Sequence, residues 1–250
     1  MKKIVTLGAA LLFCASLATA GGINLSYGDC AANSGTHTVT LTCANATAPF
    51  DLIGSVELDG PLTQFHSASA IIDFQSPTGV AIPNWWRFDG IGCRSGYATT
   101  AYNSTSGGAC TALWFPAIQG GLSTLPVEQW QLGVNGTNTI RYNGVAAING
   151  AIDLPQNDPV NSINEWGVVR VNITFNKTTG LGACAGCTNA MCVVFQETKI
   201  TNAADPETPL DVTTAGSAGQ YVAFNSYGGT CPSDTPAHNK TWGALKSLYR

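Results

Sequence analysis

Apolar and polar residues alternate with a period of two along this chain. In residues 37–43, Val39, Leu41 and Cys43 share one face and the threonines share the other. In residues 169–175, Val169, Val171, Ile173 and Phe175 point one way, and Arg170, Asn172 and Thr174 point the other. Side chains in a strand alternate between faces, so both segments predict half-buried antiparallel strands. Residues 68–74 follow the rule less strictly. Further strands are predicted at 23–27, 53–58, 85–88, 111–115, 139–148, 192–200 and 221–225. Clusters of Gly, Pro, Asn and Ser separate them. About ten short strands with such punctuation predict a single all-β domain, an antiparallel β-sandwich over residues 21–230. Residues 203–219 lack alternation and predict a long loop.

The helical period appears only near the end. Trp242, Leu245 and Tyr249 stand at i, i+3 and i+7, with Thr241 placed to cap the turn. Residues 231–250 therefore predict a tail with a short amphipathic helix, too short and too polar to anchor in a membrane.

The N-terminus changes the picture most. Lys2 and Lys3 precede an apolar run over residues 4–17, and Ala18-Thr19-Ala20 offers a small-x-small cleavage site. This is the layout of a secretory signal peptide over residues 1–20. It predicts a chain secreted, or held in the periplasm or at the cell surface, without a transmembrane anchor once cleaved. Cys30, Cys43, Cys93, Cys110, Cys184, Cys187, Cys192 and Cys231 follow the run. An even number in an oxidising compartment predicts four disulfides. Cys30 with Cys43 would close a hairpin, and Cys93 with Cys110 would close a Ser- and Gly-rich loop. Cys231 would tie the tail to one of Cys184, Cys187 or Cys192, with the choice open. Cys184 and Cys187 form a C-x-x-C, for which structural bridges, zinc and redox exchange are competing readings.

Composition narrows the function classes. Charged residues make up 10% of the chain, and the formal net charge of −4 becomes −6 without Lys2 and Lys3. The basic residues are scattered, which argues against nucleic-acid binding. Seven Asn-x-Ser/Thr triplets occur, at Asn24, Asn45, Asn103, Asn135, Asn172, Asn176 and Asn239. A chain rich in Asn and Thr yields such triplets by chance.

No catalytic or cofactor motif is present: neither H-E-x-x-H, a nucleophile elbow, a P-loop nor a dinucleotide fingerprint. No cofactor is expected. Asp73, Asp89, Glu128 and Glu165 lie near aromatic residues or strand ends and are the candidates for an acidic pair of the glycosidase kind. Asp205, Glu207 and Asp211 are weak candidates for a calcium ion and match no EF-type loop. Trp85-Trp86-Arg87 is the candidate ligand contact. In a strand one tryptophan would face the core and the other would stand outside, free to stack on a sugar or enter a partner. Trp114 and Trp130 raise the same question.

Three stretches carry a resemblance. Gly21 to Cys30 (GGINLSYGDC), Gly182 to Cys187 (GACAGC) and Trp242 to Arg250 (WGALKSLYR) together resemble secreted, Cys-rich bacterial proteins of uncharacterised function that end in W-G-x-x-K-x-L-Y-R. That resemblance implies no activity and no site residue. The strand rhythm of 53–58, 68–74 and 169–175 more weakly resembles cohesin-like and carbohydrate-binding β-sandwiches, and the sandwich is expected to be of immunoglobulin-like or cohesin-like type. The absence of a catalytic motif, the low charge and the rigid staples predict a non-enzymatic extracellular binding or structural module, with loops and an exposed tryptophan meeting a polysaccharide or cell-surface protein. The alternatives are a secreted hydrolase, or a subunit of a surface layer or fibre in which residues 21–27 pair with another chain's sheet edge.

Overall fold

The computed structural model describes residues 20–32, 34–44, 48–102, 111–134, 136–158, 163–227 and 231. The signal peptide expected over residues 1–20 and the tail helix expected within 231–250 lie outside the described residues, save for Ala20 and Cys231. Among the described residues eleven strands run in order: β1 (Ala20–Tyr27), β2 (Thr38–Val39), β3 (Phe50–Leu58), β4 (Leu62–Gln75), β5 (Ala98–Ala101), β6 (Thr124–Leu132), β7 (Thr139–Leu154), β8 (Glu165–Ile173), β9 (Met191–Asn202), β10 (Asp205–Val212) and β11 (Tyr221–Phe224). They build an all-β sandwich. One sheet has the order β1-β3-β8-β5, and the other β2-β11-β9-β4-β7-β6 with β10 also on β9. Pairing is antiparallel except between β2 and β11.

The alternation places the core. Val171 and Ile173 of β8, with Leu52 and Val56 of β3, are buried against Ile72 and Phe74 of β4 and Val193 and Phe195 of β9. Arg170 and Asn172 face outward and share Asp51 at 2.6 and 2.7 Å. In residues 37–43 the exposure alternates as expected, although only Thr38 and Val39 pair.

Four segments depart from expectation. Residues 84–86 form a 3-10 turn, not a strand, because Pro83 fixes the entry and Arg87 N–H closes on Asn84 C=O. Residues 111–114 are irregular and lead into the short helix α1 (Phe115–Gln119), whose Pro116 suits a first helical turn. The stretch expected as a loop contains β10. Its Pro206 and Pro209 are tolerated because the register breaks between Asp205 and Leu210. Strand β6 was hidden by Pro126 and by polar residues on both faces; it is an edge strand, where neither is costly.

One end of the sandwich is closed differently from the other. At the Gln75 end, where β8 also finishes and β9 begins, three loops meet: 76–97, 133–138 and 174–190. The first folds inward. Trp85, Trp86 and Phe88 plug the mouth between the sheets, and their rings join those of Phe74, Trp130, Phe175 and Phe224 in one continuous cluster.

Bridges Cys43–Cys187, Cys93–Cys184 and Cys192–Cys231 all lie at this end. The expected pairs Cys30–Cys43 and Cys93–Cys110 are therefore corrected. Cys43 and Cys93 each reach a distant loop because strand ends far apart in sequence converge there. Cys30 is itself disulfide-bonded, and Cys110 lies outside the described residues. The link from Cys231 goes to Cys192. The C-x-x-C cysteines do not bond to each other, so they act as a double staple and not as a redox pair.

Candidate functional site

The candidate contact Trp85-Trp86-Arg87 sits within the plug. Both indoles are 0% exposed, so the expectation of one outward tryptophan is corrected. The 3-10 turn turns both rings inward, where a strand would have split them. Trp85 Nε1 donates to Thr178 Oγ1 at 2.8 Å. Arg87 forms a two-pronged pair with Asp89, at 2.6 and 2.7 Å. That pairing holds the Asp89 carboxyl below its ordinary range against the opposing effect of burial. None of the three side chains is free to meet a ligand. Trp114 and Trp166 are likewise buried, and Trp130 is half-buried within the cluster.

Sequence reasoning missed Arg94. Its guanidinium is fully buried, lies 3.7 Å from the centre of the Trp85 ring, and donates to the carbonyls of Trp85 (3.1 Å) and Thr174. Burial lowers its pKa to about 10, so it remains charged at neutral pH. Among the described residues no carboxylate forms an ion pair with it. An aromatic face and oriented carbonyls replace the missing counter-ion. The only sequence sign was an arginine next to Cys93.

The four candidate carboxylates separate. Asp73 is buried against Arg141 on the large sheet, at 2.7 Å to both oxygens. Asp89 is taken by Arg87, and Glu128 accepts from Thr100. Glu165 stands opposite Glu57 in the β3–β8 register. Asn24 Nδ2 bridges the two carboxylates, 2.9 Å from Glu57 and 3.4 Å from Glu165. This is an acidic pair at close range, but its Glu165 member is enclosed while Glu57 is half-buried. Glu165 is 0% exposed and also accepts from Ser55 Oγ and from Ala31 and Ala32 N–H. Glu57 accepts from Ser217 N–H and Oγ. Burial pushes the Glu57 carboxyl up, yet the bonds from Asn24 and Ser217 prevail and hold it below its usual range. Chemically the cluster is a clamp. It pins residues 31–32 onto β8 and residues 217–219 onto β1 and β3.

The same neighbourhood closes one edge. Ile23 N–H donates to Thr214 C=O, Leu25 N–H to Gly219 C=O, and Gly216 N–H to Ile23 C=O. The outer edge of β1 is thus occupied, so the fibre contact expected through residues 21–27 has no open edge there. Asn24 is fully buried within the clamp, which removes it as a glycosylation acceptor.

Asp205, Glu207 and Asp211 lie exposed along β10, and Asp211 approaches Lys199 at 3.8 Å. Among the described residues no three His, Cys, Asp or Glu side chains gather as a metal site.

An open concavity lies elsewhere, across the outer face of β4, β7 and β6. It is a shallow groove of about 280 Å³ lined by Ser69, Ile71, Val127, Gln129, Asn143 and Val145. Cross-strand pairing creates its two rows, Val127–Val145–Ser69 and Gln129–Asn143–Ile71. The lining is largely aliphatic with an amide rim, and Glu128 also borders it. Val127 is 67% exposed and Val145 39%. Beyond it, β6 ends the sheet and has no strand partner among the described residues on its other edge. No family model matches the chain, and neither does any curated protein or solved structure. Among the described residues no helix is long and apolar enough to cross a membrane.

Proposed function

We propose that this protein is a secreted, non-enzymatic binding module that holds an extended peptide segment of a surface protein on β6 and in the groove beside it. The groove carries the reading, because exposed valines stand in a concavity next to a strand edge that has no strand partner among the described residues. Main-chain bonds to such an edge supply affinity, and a neighbouring pocket for side chains supplies selectivity. A peptide is preferred to a polysaccharide because the groove has an aliphatic lining and no aromatic ring. The full burial of Glu165 weighs against the hydrolase, since a substrate cannot reach that member of the pair.

The test is a peptide and glycan array probed with the oxidised protein and with Val127→Asp. Binding to extended apolar peptides, weakened at least tenfold by the substitution, is expected. Retention by glycans alone, or peptide binding unaffected at Val127, would refute the proposal.

A further inference from the structure

Part of the large sheet's outer face is buried more deeply than two sheets alone allow. Ile72 and Phe74 of β4 and Val193 and Phe195 of β9 point to the core, so Asp73 and Gln75, opposite Val194 and Cys192, point away from it. Yet Asp73, Val194 and Cys192 are fully buried, and Gln75 is 4% exposed. Gln196 follows inward Phe195 at a break in register, which turns it to the same face, and it is 2% exposed. Among the described residues, Gln75 Nε2 and both amide atoms of Gln196 have no hydrogen-bond partner. Buried amides are normally paired, so these mark where polar groups of a covering segment belong.

The described strands form two sheets and no third layer. Among the described residues only Tyr221 and Tyr227 pack against the cluster of Cys192, Val194, Ala223 and Cys231 on this face. The Cys192–Cys231 bridge sets the start of residues 232–250 on the same face. Fully extended, those 19 residues would reach about 60 Å. The stretch of β9 from Cys192 to Glu197 spans only about 17 Å. Charge draws the two together. Residues 21–231 hold six basic and fourteen acidic side chains, whereas residues 232–250 hold Lys240, Lys246 and Arg250 against Asp234. The leader, by contrast, enters at β1 on the other sheet.

We infer that residues 232–250 of this chain lie across that outer face, from Cys231 over Val194, Gln196 and Gln75, with the Trp242–Leu245–Tyr249 side turned onto it. A segment of the same chain is favoured over a partner protein, because the burial is complete within one chain and the bridge fixes where the segment begins. Its apolar stripe suits Val194, Tyr221 and Tyr227, and its main chain offers donors and acceptors to the glutamine amides. The groove lies beside this strip, in the rows of Ile71 and Ser69, and stays open.

The experiment labels the oxidised chain from Ala20 to Arg250 with hydroxyl radicals and reads the sites by mass spectrometry. Wild type is compared with Trp242→Ala and with Leu245→Asp, both outside the described strands. Labelling of Val194, Tyr221 and Tyr227 should rise about threefold or more in each variant, as water reaches the uncovered face. Labelling of Val127 in the groove and of Ile91 and Leu181 on other loops, all exposed already, should stay the same. Circular dichroism matching wild type separates an uncovered face from a lost fold, and if one variant loses its fold the other decides. Unchanged labelling of Val194, Tyr221 and Tyr227 in a folded variant would overturn the inference, as would an equal rise at Val127. Neither result bears on peptide binding, which is read through Val127→Asp.

Discussion

Arg94 and Gly144 show how single positions set the interior. Replacing Arg94 with Ala leaves the Trp85 and Thr174 carbonyls without their donor and opens a void beneath Trp85. The expected cost is about 2–4 kcal/mol in urea unfolding, and Arg94→Lys should recover part of it. At Gly144 an added methyl would run into the hydroxyls of both Tyr102 and Tyr142, which bond to each other in the interior. Burial, followed by the mutual effect of the pair, raises the Tyr102 pKa, and the Tyr142 pKa is pushed up to about 12. Gly144→Ala should destabilise by about 1–3 kcal/mol through overpacking, measured by the same unfolding curves. The adjacent tryptophans should differ. Trp85 Nε1 has Thr178 as acceptor, whereas Trp86 Nε1 is buried with no acceptor among the described residues. Trp86→Phe should therefore cost less than Trp85→Phe. At Glu57 the folded-state pKa is lowered, so its contribution is present above the ordinary carboxylate range and is lost as pH falls through the folded value. Glu57→Gln should reduce stability at neutral pH by under about 1 kcal/mol, since the site is partly solvated. The difference from wild type should close below about pH 4.

At the scale of elements, the strands written in clear alternation were legible in the sequence, and those whose partners decide their fate were not. Val169, Val171 and Ile173 announced β8, because one face meets the core and the other meets water. The motif Trp85-Trp86-Arg87 was misread because two adjacent indoles suggest a strand until Pro83 and the convergence of three loops are known. The closeness of Glu57 to Glu165 was invisible, since cross-strand register brings them together over more than a hundred residues. The same holds for the bridges. Spacing favoured near neighbours, whereas topology joined Cys93 to Cys184 across 91 residues. Such a long loop gives that bridge weight. Cys93→Ser with Cys184→Ser should cost about 4–5 kcal/mol on the loop-entropy estimate, read as a fall in calorimetric melting temperature. The loss should centre on loops 76–97 and 174–190, where amide exchange would rise first.

The described residues are polarised along the strands, with three bridges and the aromatic plug gathered at one end and Asp59, Asp153, Asp205 and Glu207 near the other. The groove lies on the broad flank between them, so a peptide held there would leave the stapled end uncovered. The bridges also govern how the protein yields to a pulling force. Cys43–Cys187 and Cys192–Cys231 turn most of the chain into two covalent rings. Drawn from Ala20 and Cys231, only residues 20–43 and 187–192 can pay out, ~100 Å of contour against ~700 Å for an unbridged chain. A molecule stretched between two surfaces would thus stop short, as a tether of fixed length, with its interior strands never bearing the full extension.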